Sequence, residues 1–268
     1  MKIFNGKKKA ERILSDLKKR IKKQGMKLKL AVISVGKDPA SELFIRNKKI
    51  AAERIGIEVL HRKFNSKTKE KEIIRQIEIL NKDKEIKGII VQLPLSSGLK
   101  AGKITGKISL HKDVDGFRKK THFSSPLISA ILIALRDFAK SLKSKNIIAL
   151  VNSDFFGNVL ESFLKKERIK INYLKDRKSS KIKSAEVIIT VCGSPNFIKG
   201  DMIKKGAVLI DAGIVVLKNK KVVGDVDRKS VAGKASFLTP VPGGLGPLTV
   251  ALLLKNVYYA AKNYGKHS

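Results

Sequence analysis

The sequence predicts an α/β fold with two lobes, and the order of its apolar stretches carries this prediction. In the first half, stretches with helical and with strand-like patterns alternate. One of them, Ile86–Leu93 (IKGIIVQL), is apolar almost throughout, which is typical of a central parallel strand covered on both faces. A second alternation of strands and helices begins near residue 146. Strands that alternate with helices in this way indicate the α/β class.

The individual elements follow from apolar spacing and from turn residues. Helical spacing predicts helices over 7–23, 39–55, 70–81, 127–142 and 157–166. Short apolar runs predict strands over 28–35, 57–60, 86–93, 146–151, 169–174, 186–192, 207–212 and 221–226. The apolar helix over 127–142 is a connector between the lobes, and Val250–Leu254 predicts a buried C-terminal helix. The first lobe is therefore expected to span 1–138 plus 247–268, and a second, Rossmann-like lobe to span 139–246.

Length and composition favour a soluble protein. A chain of 268 residues with 43% hydrophobic content can form two medium-sized domains with proper cores. No apolar run approaches about 18 residues, so no membrane span is expected, and the N-terminus lacks the apolar core of a signal peptide. Cys192 is the only cysteine, which excludes a disulfide within the chain and fits a reducing compartment. We expect a cytoplasmic protein without a metal site.

The net charge of +35 is the unusual feature of the composition. A field of this sign attracts polyanions, including nucleic acid. However, the basic residues are spread along the whole chain, and there is no zinc-ligand spacing, RNA-binding aromatic motif or separate basic tail. The sequence therefore favours a general bias of the solvated surface, which also attracts a small anionic substrate, over specific nucleic-acid binding.

The stretch 239–256 (TPVPGGLGPLTVALLLKN) contains three prolines and three glycines within Pro240–Pro247. Proline fixes φ and glycine admits backbone conformations closed to other residues, so this stretch predicts a rigid, shaped loop. A structural turn before a helix is the simplest interpretation of the loop taken alone.

Four residues of the first half are candidates for chemistry. Phe44 and Lys48 are four apart on a predicted helix and therefore share a face, so the lysine is suited to polarise a substrate or to act as acid or base. Gln92 is a polar residue that closes an apolar strand, where ligands of α/β sheets bind. Asp115 lies in the tight KDVDG loop and is suited to pair with the donors of a polar heterocycle. Each has an ordinary structural interpretation as well: a surface lysine over a core phenylalanine, a strand end and a turn aspartate.

Taken together, these residues lie in motifs that resemble a known family. The segments are IRNKKIAAERIGI, VQLPL, KDVDG, GDV and TPVPGGLGPLT. In their order and spacing they are similar to the bifunctional methylenetetrahydrofolate dehydrogenase/cyclohydrolase family, and the resemblance extends over nearly the whole chain.

The resemblance implies a two-lobed enzyme with a folate cleft between a catalytic lobe and an NAD(P)-binding lobe. It places the catalytic lysine at Lys48, its partner glutamine at Gln92 and the pterin-binding aspartate at Asp115. The folate-contacting residues would be Phe44 and the loop Val241, Pro242, Gly243 and Gly244. In this family the lysine supports hydrolysis of the methenyl compound, and hydride passes from the methylene compound to a nicotinamide. Members are usually homodimers, and the glutamate carboxylates of folates suit the basic surface.

Two regions depart from the family pattern. Phe44 stands where the family usually has a tyrosine, so a stacking ring remains without its hydroxyl. The nucleotide loop, roughly Gly-Arg-Ser-x-x-Val-Gly-x-Pro in the family, is VNSDFFGNV over 151–159 and keeps only Ser153 and Gly157. Ile214 matches the strand end on the nicotinamide side.

The cofactor is therefore expected to be NADP or NAD, with two hypotheses open. Asp176 follows the second strand of the Rossmann-like lobe, where a carboxylate accepts from a ribose 2′-hydroxyl and repels a 2′-phosphate, which favours NAD. Arg177 and Lys178 weigh against this preference. Alternatively, the altered loop impairs nucleotide binding and leaves a cyclohydrolase alone, or a decayed, non-enzymatic polyanion-binding protein.

Overall fold

A computed structural model of the chain describes residues 1–118, 120–139, 142 and 144–264. The chain divides into two compact units. The three-stranded unit comprises residues 10–126 and the chain from Val250 onward, and the six-stranded unit comprises Met1–Lys9 and Leu127–Thr249.

The elements alternate between strands and helices along most of the chain. The strands are β1 Lys2–Ile3, β2 Leu28–Val35, β3 Ile57–Phe64, β4 Ile86–Val91, β5 Ile147–Val151, β6 Asn172–Leu174, β7 Val187–Val191, β8 Val208–Asp211, β9 Val215–Val216, β10 Val222–Val223 and β11 Phe237–Leu238. The helices are α1 Gly6–Lys23, α2 Pro39–Glu53, α3 Glu70–Lys82, α4 Ala101–Thr105, α5 Pro126–Phe138, α6 Asp154–Lys166, α7 Lys181–Ser184, α8 Arg228–Val231 and α9 Leu245–Tyr264. Single 3₁₀ turns occur at Leu110–Lys112 and Gly200–Met202.

In the three-stranded unit, the described residues form a parallel sheet of order β3-β2-β4. The side chains of β2 alternate between two apolar clusters, as the twofold period of a strand requires. Leu30 and Val32 pack in the cluster that contains residues of α1 and α9, and Ala31 and Ile33 pack in the cluster that contains residues of α3. The central sheet is therefore covered by apolar residues on both faces, as its sequence predicts.

The start of α2 fixes the position of the helix that carries Lys48. Asp38 caps the helix, because its carboxylate accepts a 2.7 Å hydrogen bond from the backbone N–H of Ser41. Pro39 occupies the first turn, where its missing N–H costs nothing. The helix thus begins a few residues after the carboxyl end of β2, beside the edge of the sheet at which ligands of α/β proteins bind.

In the six-stranded unit, the described strands pair in the order β1-β11-β8-β7-β5-β6, and all these pairs are parallel. The chain passes from β5 outward to β6 and then returns to β7 on the other side of β5. The strand order therefore reverses between β5 and β7, which is the topological switch point of a doubly wound sheet. A small antiparallel pair, β9 and β10, lies outside this sheet.

The predicted α/β class with a Rossmann-type second sheet is confirmed, and several element bounds differ from prediction. Helix α6 begins at Asp154 rather than at Gly157, because Ser153 accepts a hydrogen bond from the N–H of Phe156 and caps the helix earlier. The strand predicted over 221–226 is limited to β10. The helix predicted over 127–142 ends at Phe138 as α5, and residues 140, 141 and 143 lie outside the described residues, as do 265–268.

The unit bounds differ from the predicted lobes at the N-terminus and at α5. Residues 1–9 group with the six-stranded unit, because β1 pairs with β11 and Phe4 is buried close to Phe237. Helix α5 also groups with that unit rather than with the first lobe. Among the described residues, no helix combines the length and the apolarity needed to cross a membrane.

Candidate active site

Lys48 and Gln92 form a direct hydrogen bond in the three-stranded unit. Lys48 lies on α2, and Gln92 follows β4 directly. The Nζ atom of Lys48 donates to Oε1 of Gln92 over 2.7 Å. The Nε2 atom of Gln92 donates to the carbonyl oxygen of Leu93 over 2.8 Å, and its backbone N–H donates to Ile33. The glutamine amide is therefore held with its oxygen toward the lysine.

The protonation of Lys48 is perturbed by its surroundings. Burial lowers the pKa of the Lys48 ammonium, and the attraction of Asp115 opposes this effect. A lysine with a lowered pKa carries a larger fraction of neutral amine near neutral pH than an ordinary surface lysine. This side chain is therefore suited to exchange protons, whereas most of the chain's lysines are only surface charges.

Asp115 responds to the same environment in the opposite direction. Burial raises the pKa of the Asp115 carboxyl to about 6, Lys48 lowers it, and Asp113 raises it further. Both members of the Lys48–Asp115 pair are thus shifted toward their neutral forms. Such opposed shifts, in one acid and one base, are typical of functional sites.

Lys112 holds the KDVDG loop in place, a role that the sequence analysis missed. Its side chain is 2% exposed, and Nζ donates to the carbonyl oxygens of Leu80 (2.9 Å), Asn81 (2.9 Å) and Asp83 (2.6 Å). These carbonyls belong to the last turn and C-cap of α3, where helix carbonyls lack intrahelical partners. Burial lowers the pKa of Lys112 to about 8. The ammonium therefore fastens the segment before Asp115 to the end of α3.

The rest of the loop is fixed by hydrogen bonds around Asp115. Asp113, fully buried, accepts from the N–H groups of Phe117 and Arg118. Gly116 has a φ of +72°, and a Cβ there would lie 2.7 Å from a backbone oxygen of residue 123, so the turn requires glycine. Asn256 on α9 donates to the carbonyl oxygen of Val114 over 2.8 Å. Asp115 is consequently held on a rigid loop.

Phe44 lies one turn before Lys48 on α2 and is partly exposed. The two side chains share a helix face, as their spacing predicts. The ring offers an apolar surface without a hydroxyl, so hydrogen bonding by this side chain is excluded. Its role in stacking on a substrate stays a prediction.

A Ser34–His61 pair borders the same site, and the sequence analysis did not identify it. Ser34 Oγ and His61 Nε2 are 2.8 Å apart on the neighbouring strands β2 and β3. Burial and then Lys63 and Lys49 lower the pKa of His61. The two side chains line a depression that also contains Gln92. The two residues are 27 positions apart in the chain, so no local sequence pattern indicates their contact.

The proline- and glycine-rich loop belongs to the six-stranded unit and is rigid there. The backbone N–H of Gly244 donates to the carbonyl oxygen of Pro240 over 2.7 Å, and the carbonyl oxygen of Gly243 accepts from Lys7 over 3.1 Å. Gly243 has a φ of +100°, and the Val241–Pro242 peptide is cis. The predicted shaped loop is confirmed. Contact of Val241, Pro242, Gly243 and Gly244 with folate stays a prediction.

The nucleotide-side residues lie around the carboxyl ends of β5 and β6. Ser153 caps α6, and Gly157 packs so tightly that a Cβ would lie 2.5 Å from the ring of Tyr173 on β6. This is the close helix–strand packing that the third glycine of dinucleotide-binding loops permits. Phe155, at 59% exposed, protrudes from the first turn of α6. Direct cofactor contact by Ser153 and Gly157 stays a prediction.

In the loop after β6, both Lys175 and Arg177 have fixed partners, and Lys175 Nζ donates to the Asp154 carboxylate over 2.6 Å. The Asp176 carboxylate accepts from the backbone N–H of Lys178 over 2.9 Å. The Arg177 guanidinium donates to Ser194 Oγ and lies 5.6 Å from the ring centroid of Phe197. Ile214 follows β8 and is partly exposed. The structure thus gives Arg177 fixed partners, while cofactor contacts of Asp176 and Ile214 stay predictions.

Among the described residues, no group of three or more His, Cys, Asp or Glu side chains is arranged to hold a metal ion.

Comparisons with known proteins identify the family of the chain. Residues 4–115 match the family model of the tetrahydrofolate dehydrogenase/cyclohydrolase catalytic domain, and residues 126–265 match the model of its NAD(P)-binding domain. The chain is 36% identical over 278 residues to the bifunctional protein FolD of Campylobacter hominis, covering 98% of both chains. Among solved structures, it is similar to the bifunctional enzyme FolD of Campylobacter jejuni, with 32% identity and a TM-score of 0.87 over 98% of this chain and 99% of that one.

A more distant structure gives the same result. The bifunctional methylenetetrahydrofolate dehydrogenase/cyclohydrolase of Thermoplasma acidophilum is 28% identical, with a TM-score of 0.84 and full coverage of both chains. The resemblance that the motifs indicate is confirmed, since two family models together cover most of the sequence. The chain therefore belongs to the tetrahydrofolate dehydrogenase/cyclohydrolase family.

Proposed function

We propose that this chain catalyses two consecutive steps of one-carbon folate metabolism. In the first step, 5,10-methylenetetrahydrofolate loses a hydride to NAD(P)⁺ and becomes the 5,10-methenyl cation. In the second step, water adds to the methenyl carbon and the ring opens, which gives 10-formyltetrahydrofolate and releases one proton. Membership of the family and the arrangement of Lys48, Gln92 and Asp115 support this proposal.

The hydrogen bond between Lys48 and Gln92 is the observation that carries the proposal. Hydrolysis needs a group that takes a proton from the attacking water and returns one to the departing nitrogen. The lowered pKa of Lys48 makes a neutral amine accessible for the first role, and the resulting ammonium serves the second. Gln92 accepts from the amine at 2.7 Å and thereby orients it without adding a charge that would raise its pKa.

Asp115 supplies a second polar contact on the same side of the sheet. A carboxyl group whose pKa is about 6 exists in both protonation states near neutral pH. It is therefore able to accept from the amino and ring N–H donors of a pterin, and the buried Lys112 holds its loop for this purpose. Phe44 offers a ring for stacking, which loses the hydroxyl of the usual tyrosine but retains the apolar surface.

The six-stranded unit has the features that a dinucleotide requires. Helix α6 starts directly after β5 at the topological switch point, so its N-terminal N–H groups suit a pyrophosphate. Gly157 permits the close contact of this helix with β6. When bound, NAD(P) supplies the hydride acceptor. We propose that Ser153, Ile214 and the loop after β6 hold it, and that the bulky Phe155 weakens the binding.

For the nucleotide preference, we propose NADP. The loop after β6 carries Arg177 and Lys178 beside one carboxylate, Asp176, which accepts from the N–H of Lys178, while its third cation, Lys175, is paired with Asp154. Arg177 is held by Ser194 and Phe197, so little side-chain freedom is lost when it binds a 2′-phosphate. The competing preference for NAD requires the Asp176 carboxylate to accept from the ribose instead.

The basic surface and the single thiol bear on the setting of the reaction. We propose that the net charge of +35 attracts folates through their glutamate carboxylates, including polyglutamylated ones, rather than nucleic acid. Buried Cys192 is a free thiol, which fits a cytoplasmic protein. We also propose a homodimer, for which sedimentation velocity of the purified protein is the direct test.

An assay of both activities tests the proposed function. The purified protein is expected to hydrolyse methenyltetrahydrofolate, followed as loss of methenyl absorbance, and to form NADPH from methylenetetrahydrofolate faster than NADH. Hydrolysis without reduction of either nucleotide would limit the protein to the cyclohydrolase step. Absence of both activities, together with nucleic-acid binding that falls steeply with salt, would replace the proposal by the polyanion-binding alternative.

A further inference from the structure

Two buried aspartates in the six-stranded unit have no role so far, although one of them, Asp225, lies in the GDV segment. Asp211 ends β8 and is 2% exposed, and Asp225 follows β10 and is fully buried. Neither side chain has a cation partner among the described residues. Carboxylates are rarely buried in this way unless hydrogen bonds compensate for the loss of water.

Asp225 satisfies its carboxylate with donors from the end of β7. Its Oδ2 atom accepts from the Thr190 hydroxyl over 2.6 Å and from the Cys192 N–H over 2.7 Å. Its Oδ1 atom accepts from the Ser194 N–H over 2.6 Å. Hydrogen bonds from backbone N–H groups to a charged carboxylate are among the stronger ones in proteins. One side chain thus determines the path of residues 192–194.

Asp211 secures the segment that carries Asp225. Its carboxylate accepts from the N–H groups of Gly213 (3.0 Å), Asp225 (3.1 Å) and Val226 (3.0 Å). The carboxylates of Asp211 and Asp225 therefore connect the turns that follow β8 and β10 to each other and to residues 192–194. We call this set of hydrogen bonds the brace. A Cβ at Gly213 would clash with the Asp225 carboxylate, and one at Gly224 would clash with the Asp211 carboxylate, so both glycines are required by this approach.

The braced loop lies where the dinucleotide is expected. Residues 192–194 follow β7, which adjoins β5 across the switch point, so the loop borders the crevice in which such sheets bind nucleotides. Ser194 also accepts from the Arg177 guanidinium. On the other side, the turn after β8 leads directly to Ile214. The brace thus adjoins two of the three places that the proposed function assigns to the cofactor, Ile214 and the loop after β6.

We propose that Asp225, supported by Asp211, is a positioning residue for the dinucleotide, because it sets the loop 192–194 and through Ser194 the guanidinium of Arg177. This inference rests on the proposed dehydrogenase function. It predicts an effect on nucleotide affinity that is separate from the hydrolysis performed in the three-stranded unit.

The variant Asp225→Asn tests the inference with little change in volume. An amide has one acceptor oxygen in place of two, so at least one of the Cys192 and Ser194 N–H groups loses its partner. The expected result is a rise of about tenfold or more in the Kd for NADP, measured by titration of the purified protein, and a similar rise in the KM for NADP. The methenyl hydrolysis rate is expected to stay within about twofold of wild type.

Asp227→Asn is the matched control. Asp227 lies two residues further along the same segment and caps α8 by accepting from Lys229 and Ser230. Asparagine caps helices about as well as aspartate, so this variant is expected to keep the wild-type Kd. Thr190→Val is a milder probe that removes one donor to Asp225 and leaves the carboxylate, and it should raise the Kd by about threefold.

The outcomes separate the inference from the proposed function. If wild type binds NADP and Asp225→Asn binds it equally well, the inference is wrong while the dehydrogenase proposal stands. A parallel loss of hydrolysis and of NADP affinity would also overturn it, since the role would then be general to folding. If Asp225→Asn does not fold, the Thr190→Val titration decides, and an unchanged Kd rejects the inference. If wild type itself binds neither nucleotide, the dehydrogenase half of the proposed function fails first.

Discussion

The side-chain amine of Lys48 donates to Oε1 of Gln92 over 2.7 Å, and this amide faces the lysine because its own N–H₂ group is bound to the carbonyl of Leu93. A titratable amine is thus paired with a neutral, oriented acceptor. This relationship makes the protonation of one amine, rather than the charge of the surface, the quantity on which the reaction depends.

Removing the amine should abolish hydrolysis. Lys48→Met keeps the aliphatic stem but lacks a proton-transferring group, so the hydrolysis rate should fall by about 100-fold or more, as measured by the loss of methenyl absorbance. The neighbouring Lys49→Met is the control, because Lys49 is exposed and its nearest carboxylate, Glu53, lies 3.8 Å away. Equal rates for the two variants would contradict the assigned role of Lys48.

Changing the partner of Lys48 should move the pH profile. Gln92→Glu places a carboxylate beside the amine, which favours the ammonium and raises the pKa of Lys48. If neutral Lys48 accepts the proton, the ascending limb of the hydrolysis rate must move to higher pH, and the rate at pH 7 should fall by about tenfold. A profile measured from pH 5 to 10 checks this, and a shift to lower pH would exclude Lys48 as the base.

The ionised carboxylate of Asp115 should lower the stability of the fold at high pH, although the side chain supports activity. Its folded-state pKa of about 6 exceeds the unfolded value, so its contribution to stability is complete below about pH 4 and is lost as pH rises through about 6. Asp115→Asn removes this loss and should melt about 2–4 °C higher than wild type at pH 8, with little difference near pH 4. Both activities should fall by about tenfold or more. Calorimetry at the two pH values makes the comparison, and a lower melting temperature at pH 8 would reject it.

Lys112 should contribute to the stability of the three-stranded unit. Lys112→Met leaves three carbonyls at the end of α3 without their buried donor, which should cost about 2–3 kcal/mol of unfolding free energy. Urea denaturation measures this cost. Lys107→Met, in an exposed position of the same segment, should change stability by less than about 0.5 kcal/mol. Equal effects of the two substitutions would show that the carbonyl contacts are unimportant.

Arg177 should govern the choice of nucleotide. Arg177→Gln removes the charge proposed to face a 2′-phosphate, so the Kd for NADP should rise by about tenfold or more while the Kd for NAD changes little. Titrations with both nucleotides test this. The exposed Arg168→Gln serves as the control for loss of one positive charge. If the NAD and NADP affinities of Arg177→Gln change alike, the NADP preference must have another origin.

The sequence predicts the central strands because most of them are nearly continuous apolar runs, whereas the two-residue strands β1, β9 and β11 are too short to give such a pattern and are missed. It also brings Lys48, Gln92 and Asp115 into one hypothesis, although only through motifs that resemble a family. Lys48 and Gln92 are 44 positions apart in the chain, so no local sequence pattern indicates their hydrogen bond. Ser34 with His61, and Asp211 with Asp225, are missed for the same reason, since their partners meet only after the strands have paired.

Lys112 illustrates a different limit. A lysine among 58 basic residues is expected to lie in solvent, and its burial depends on three main-chain carbonyls that carry no side-chain signature. Capping rules are able to predict the early start of α6 after its cap, Ser153. They do not predict that Gly157 packs against Tyr173, because this contact depends on the position of β6.

The chain passes between the compact units three times, at residues 9–10, 126–127 and 249–250. This order has a consequence for biosynthesis. Leu253, Leu254 and Val257 of α9 belong to the same buried cluster as Leu14 and Leu17 of α1. A ribosome therefore delivers the N-terminal part of that core long before the C-terminal part. Until α9 emerges, the nascent chain exposes apolar surface that it cannot cover, so truncation before Leu253 should yield insoluble rather than shortened, active protein.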